Sequence, residues 1–135
     1  MFDKPYEVIH LENHKDERGS LFEILRFKDN KIPGEGYIYS FTINPGQRRA
    51  DHYHKIKQEW FSCISGKVTV LIEDKDGTQS KIILDAANPA VVYCSPYTAH
   101  ALYNESEEVA VVVSYGSPQH DPNNPDTFKK FINFS

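Results

Sequence analysis

Between Gly46 and Gly66 the chain reads GQRRADHYHKIKQEWFSCISG, and this segment constrains the fold more than any other. It can be parsed as a glycine, five residues, His52, one residue, His54, four residues, Glu59, six residues and a second glycine. Residues two apart on a strand point to the same side. His52 and His54 are therefore expected to aim two imidazoles into one space. The stretch from Lys55 to Gln58 is long enough for the chain to turn over, so that Glu59 enters the neighbouring strand and brings a carboxylate to the same point. Gly66 suits a tight reversal where a side chain would clash.

A second segment, Ser95-Pro96-Tyr97-Thr98-Ala99-His100, leads into another strand, with Tyr103 and Asn104 three and four residues beyond the histidine. It supplies a fourth donor. Three imidazoles and a carboxylate suit a divalent transition metal, so His52, His54, Glu59 and His100 are the expected ligands. Zinc is the first expectation, although the donor set does not by itself exclude iron, nickel, cobalt or manganese.

The rest of the chain reads as strands. It carries 8 Tyr, 8 Phe and many Val and Ile, with Gly and Pro spread along it as turns between short strands require. Strands are expected at Tyr6–Glu12, Ser20–Arg26, Gly36–Ile43, a short piece around His52 and His54, Glu59–Ile64, Lys67–Glu73, Thr78–Leu84, Ala90–Cys94, Ala99–Tyr103 and Val109–Tyr115. Asn13–Gly19 reads as a polar turn, and Asp74–Gly77 as a hairpin turn. No segment of helical length keeps a 3.6-residue period. This pattern implies a sandwich, jelly roll or barrel. The 135 residues fit one domain, 1–135, large enough for a core without disulfides. Cys63 and Cys94 lie inside apolar runs and read as buried thiols. The N-terminus lacks a signal-peptide pattern and no apolar run has membrane-spanning length, so a cytoplasmic protein is expected. A net charge of −4 argues against a general nucleic-acid binder.

The Gly46–Gly66 segment resembles the first cupin motif at each defining position, and His100 to Asn104 resembles the second. The second departs from the family pattern: the usual Pro-x-Gly is absent, and Pro96 lies one residue nearer the histidine. The resemblance implies an all-β double-stranded β-helix, the jelly-roll barrel of cupins. Other blocks are similar to those of sugar-nucleotide epimerases and ketoisomerases: Asp16–Glu23 (DERGSLFE), Asn44–Arg49 (NPGQRR), and Ser117–Asp121 (SPQHD). The terminal block Asp121–Phe128 (DPNNPDTF) looks like that of the cupin domains in capsule enzymes that build UDP-N-acetyl-L-fucosamine.

That resemblance implies an isomerase acting on a nucleotide-linked 4-keto-6-deoxy sugar, with epimerisation at C3 through proton abstraction and an enolate. It implies a nucleotide-diphosphate sugar as partner and a homodimer. It implies phosphate contacts for Arg18 and Arg49, whose guanidinium forks match phosphate oxygens, and a sugar or nucleotide contact for Glu23. Tyr37, Tyr39, Tyr53, Tyr103 and Tyr115 read as core or pocket-wall side chains, with Tyr103 and Tyr115 taken as candidate proton donors. His52 matches the base of the rhamnose epimerases, which need no metal. A histidine bound to metal through its reactive nitrogen cannot also abstract a proton, so ligand and base remain alternative roles for His52. A 3,4-ketoisomerase, an iron-dependent cupin oxygenase and a non-catalytic sugar-binding cupin are the rival readings.

Overall fold

The computed structural model describes residues 3–134. In chain order the elements are β1 (Tyr6–His10), β2 (His14–Asp16), β3 (Gly19–Leu21), a short α1 (Phe27–Asn30), β4 (Tyr37–Ile43), β5 (Arg48–Tyr53), β6 (Gln58–Ser65), β7 (Lys67–Glu73), β8 (Gln79–Asp85), β9 (Ala90–Cys94), β10 (Ala99–Tyr103), β11 (Ala110–Ser117) and β12 (Phe128–Lys129). One five-stranded sheet runs β1-β9-β6-β11-β4 and faces a second of order β12-β5-β10-β7-β8, while β2 and β3 form a separate hairpin. The strand pairs are antiparallel. Neighbours in each sheet come from distant parts of the chain, as a double-stranded β-helix requires, and the fold is the cupin jelly roll.

The main core lies between the sheets. Ile43, Phe61, Val70, Ile72, Leu84, Val92, Leu102 and Val112 meet there, each almost wholly buried. Burying a side chain of this size contributes about 1.5–3 kcal/mol. The runs in β6 and β9 are apolar without alternation because both of their faces are covered. On the outer face, Trp60, Val91, Tyr93 and Tyr115 pack under Ile24, Leu25 and Ile32. The outer face of the second sheet is covered by the C-terminal segment, whose Ile132 is fully buried against Leu71, Ala99 and Ala101.

Two local expectations change. The strand expected over Ser20–Arg26 ends at Leu21, because Ile24 and Leu25 leave the hairpin to cover the first sheet. Phe27 then packs edge-on to Tyr115 at 5.0 Å, in a single helical turn. The Asn13–Gly19 segment, expected as a turn, carries β2, which pairs with β3, and residues 128–129 add β12 to the edge of β5. Tertiary packing decides both points over local propensity.

The reversal at Gly66 is as expected. Its φ is +80°, and a Cβ there would lie 2.8 Å from the Val109 carbonyl oxygen.

Asn104, wholly buried, ties three loop segments together. Its Nδ2 donates to the Ile43 and Glu108 carbonyls at 2.8 and 2.7 Å, and its Oδ1 accepts from the Ser106 amide and hydroxyl. Asn104→Ala leaves buried carbonyls without donors. It is expected to lower unfolding free energy by about 3 kcal/mol, read as a lower urea midpoint.

Candidate metal centre

The four expected ligands converge. His52 comes from the end of β5, His54 directly follows that strand, His100 comes from β10, and Glu59 from β6 in the facing sheet. His52 and His100 are directly opposite one another across the β5–β10 pairing. One donor atom from each of His52, His54, Glu59 and His100 lies within 4.8 Å of the others. His54, Glu59 and His100 are 2–3% exposed, and His52 is the more open member of the cluster; His52, Glu59 and His100 all line the cavity.

Hydrogen bonds fix the direction of two rings. Nδ1 of His54 lies 2.5 Å from the Asp126 carbonyl oxygen, and Nδ1 of His100 lies 3.3 Å from that of Thr98. A carbonyl only accepts, so each Nδ1 carries the donated hydrogen and each Nε2 is left to face inward. Those Nε2 atoms stand 2.7 and 3.2 Å from the same oxygen, Glu59 Oε1. Lone pairs and a carboxylate oxygen do not hold such distances in a dry interior unless a proton or cation lies among them. Borderline nitrogen donors around one hard oxygen fit a divalent ion such as zinc. The residues present therefore fit the group.

Electrostatics follow from burial. Desolvation pushes the Glu59 carboxyl up, but hydrogen bonds from His100 and His54 and their charges outweigh it and hold the group well below the usual range. Burial, with the neighbouring imidazoles His100 and His54, pushes His52 down to about 3. His52 is thus neutral near pH 7. Tyr39 donates to Glu59 Oε2 at 2.5 Å, and burial next to that carboxylate raises its hydroxyl well above the ordinary range, so it stays protonated.

These groups open on a cavity of about 280 Å³ between the sheets, lined by Tyr39, Phe41, Arg49, His52, Phe61 and His100 together with Ala50, Glu59 and Leu102. Arg49 stands at its wall, with its Nε donating to the Thr42 carbonyl and its guanidinium over Phe41. The bulge at Asp51 shapes this side: Ala50 and Asp51 both have positive φ, and the register to β10 shifts there. Tyr97 takes φ 65° in the turn before His100, the left-handed region that the missing family glycine would favour.

Four expected residues lie elsewhere. Tyr103 follows His100 by three positions, so strand alternation turns it to the opposite face, where Arg48 covers its ring. Tyr115 alternates with Ser114, points away from the cavity, and donates to the Pro33 carbonyl. Arg18 sits on the exposed β2–β3 hairpin and forks onto Asp16. Glu23 is exposed and paired with Arg26 at 2.7 Å. Sequence reasoning placed Tyr39 only in a pool of five tyrosines; the available signal was its parity with Phe41 and Ile43 on one strand. It missed Asp126, whose carboxylate accepts the Lys55, Ile56 and Lys57 amides at 2.8 Å each. Burial raises that carboxyl, and the three amide donors more than reverse the effect.

Fold and site together define a cupin jelly roll with a cavity between its sheets, walled in part by a cluster of three histidines and a glutamate that could hold a metal ion. The chain belongs to the polysaccharide biosynthesis C-terminal domain family, which it matches over residues 14–128. It is 29% identical over 116 residues to a UDP-2-acetamido-2,6-β-L-arabino-hexul-4-ose reductase of Pseudomonas aeruginosa, covering 85% of this chain and 30% of that protein. It is also 29% identical over 131 residues to a TDP-4-oxo-6-deoxy-α-D-glucose-3,4-oxoisomerase of Aneurinibacillus thermoaerophilus, covering 93% of this chain and 91% of the relative. A dTDP sugar isomerase from Desulfovibrio desulfuricans shares the fold with a TM-score of 0.85 at 18% identity, over 96% of this chain and 89% of that one. The chain thus spans under a third of the reductase and nearly all of the oxoisomerase. No helix among the described residues is long and apolar enough to cross a membrane.

Proposed function

We propose that this chain is a sugar-nucleotide isomerase. It epimerises a nucleotide-linked 4-keto-6-deoxy sugar at C3 during assembly of a surface polysaccharide precursor. The observation that carries this reading is His52: a neutral imidazole with no hydrogen bond among the described residues, at the wall of a cavity that also holds Tyr39 and Arg49. A carbon acid next to a ketone needs a lone pair to take its proton and positive or donor groups near the oxygen that gains charge.

In this reading His52 takes the C3 proton. The nearby Glu59 carboxylate favours the imidazolium that results. Tyr39, which keeps its own proton, supplies a hydroxyl beside the cavity. Arg49 meets the diphosphate, and Phe41 and Phe61 exclude water from the sugar. His54, Glu59 and His100 would hold the divalent ion, zinc in this proposal, which would supply positive charge to the cavity as a Lewis acid. A proton of solvent origin delivered to C3 from the other face completes the inversion, and His52 returns the proton it took to solvent.

Two variants of the reading have support. Reprotonation at C4 instead of C3 moves the keto group and makes the chain a 3,4-ketoisomerase; the near-complete coverage of the oxoisomerase relative favours it. The proximity of His52 to the other three donors favours a four-ligand centre, in which His52 holds metal instead of acting as base. The proposal includes a homodimer, supported by the β2–β3 hairpin, whose residues are all exposed and which leaves Leu21 61% exposed. Light scattering of the eluted protein tests the dimer, and a monomer mass contradicts it.

The function is tested by incubating the zinc-loaded protein with UDP- and dTDP-linked 4-keto-6-deoxy sugars in D2O and following the sugar by NMR. Deuterium at C3 with inversion is expected. Deuterium at C4 of a 3-keto product identifies the ketoisomerase, and no exchange with either nucleotide overturns the enzyme. Arg49→Ala is expected to raise KM for the nucleotide sugar about tenfold or more with a smaller change in kcat, since a charge-assisted phosphate contact contributes about 1.5–3 kcal/mol.

A further inference from the structure

We infer that Asp126 is a positioning residue that fixes the ring direction of His54, through a clamp the C-terminal segment places over the β5–β6 connection. The inference rests on the proposed role of His54 as a metal ligand and goes beyond it, because it concerns what sets that ligand before any ion is present.

Residues 55–57 turn the chain from one sheet to the other, so three consecutive amides lack a strand partner. All three point at one carboxylate, that of Asp126. Such a run of amides is a concave anion site, and a side chain of the same protein fills it. The main chain of that residue also acts on the histidine, because its carbonyl accepts the His54 Nδ1 hydrogen at 2.5 Å. One residue therefore sets the path of the connection with its side chain and the tautomer of the adjacent imidazole with its backbone. The His54 carbonyl is held as well, accepting from the Tyr97 amide at 2.6 Å.

The segment carrying Asp126 is itself anchored to the ligand-bearing strand. Phe128 and Lys129 pair with Tyr53 and His52. The Lys130 amide donates to the Asp51 carbonyl at 2.8 Å, and the Ile132 amide to its carboxylate at 3.1 Å. Arg48 donates to the Ile132 carbonyl, and Ile132 is fully buried. The clamp is thus tied by hydrogen bonds on both sides. With it in place, His54 Nε2 is committed to the interior; without it, either ring nitrogen is free to carry the hydrogen. Outer partners of this kind typically change metal affinity about 10–100-fold.

The experiment uses 15N-labelled full-length protein, metal-free and then titrated with zinc or cobalt(II) alone. Long-range 1H–15N spectra of the metal-free wild type are expected to show His54 in a single state, its Nδ1–H bonded to the Asp126 carbonyl and a proton between its Nε2 and Glu59. Asp126→Ala is expected to mix the tautomers and lower zinc affinity at least tenfold while unfolding stays cooperative. Asp126→Asn keeps an acceptor oxygen and is expected to restore most of the single tautomer; it also carries the test if the alanine variant fails to fold. Loss of stability in Asp126→Ala with the tautomer and zinc affinity unchanged overturns the inference and leaves Asp126 a loop staple. Absence of zinc binding by the wild type overturns the metal centre instead, and the tautomer of the metal-free protein still decides the role of Asp126.

Discussion

Glu59→Ala is expected to abolish stoichiometric metal binding, with affinity falling on the order of a hundredfold or more, beyond the range found for outer partners alone. The reason is the position of its carboxylate. It is the one acidic group in the centre, it comes from the facing sheet, and it touches His54, His100 and Tyr39 at once. Removing it leaves two buried imidazoles facing a void and strands the Tyr39 hydroxyl. Breaking a buried, hydrogen-bonded charge pair costs about 3–5 kcal/mol, so the metal-free variant is expected to melt well below the metal-free wild type. Glu59→Gln keeps the shape and one acceptor oxygen, and is expected to fold near normally while still losing most of the affinity. Chelator competition and thermal melting, with and without zinc, separate the two effects. Equal zinc affinity in Glu59→Gln and wild type would contradict the ligand role.

His52→Asn is expected to slow deuterium exchange at C3 about 10²- to 10⁴-fold, the usual range for a general base. Asparagine fills similar space and cannot take the proton. His52 lines the cavity and its ring has no hydrogen bond among the described residues, whereas His54 and His100 are each held through Nδ1. Zinc affinity reads the other role independently. Retained zinc with lost exchange assigns His52 as base; zinc and exchange lost together assign it as the fourth ligand. Unchanged exchange contradicts both.

The convergence of the four donors was legible in the sequence because it depends on short-range rules. The spacing of His52 and His54 uses the two-residue strand period, and the four residues before Glu59 allow the chain to turn over; the sequence reading put Glu59 in the neighbouring strand, whereas β6 lies in the facing sheet. His100 came from resemblance and strand order. What was not legible depends on parity and on long-range cover. Tyr103 and Tyr115 were chosen by residue type, but each alternates with an inward neighbour, Leu102 and Ser114, and so points outward. Arg18 and Glu23 were chosen by motif, and within one chain the hairpin and the segment after it lie off the cavity. The strand expected after Leu21 failed because the apolar residues there cover Trp60 and Tyr93. Asp126 gave no local signal, since its partners lie about 70 positions earlier in the chain.

The most direct measurement is X-ray absorption at the zinc edge on protein loaded with one equivalent of zinc. Nitrogen and oxygen donors at about 2.0–2.1 Å, with imidazole scattering from at least two rings, are expected for an ion seated among His54, His100 and Glu59. Water oxygens alone around the ion, or a spectrum identical to that of Glu59→Ala, would contradict a centre built where the two sheets meet.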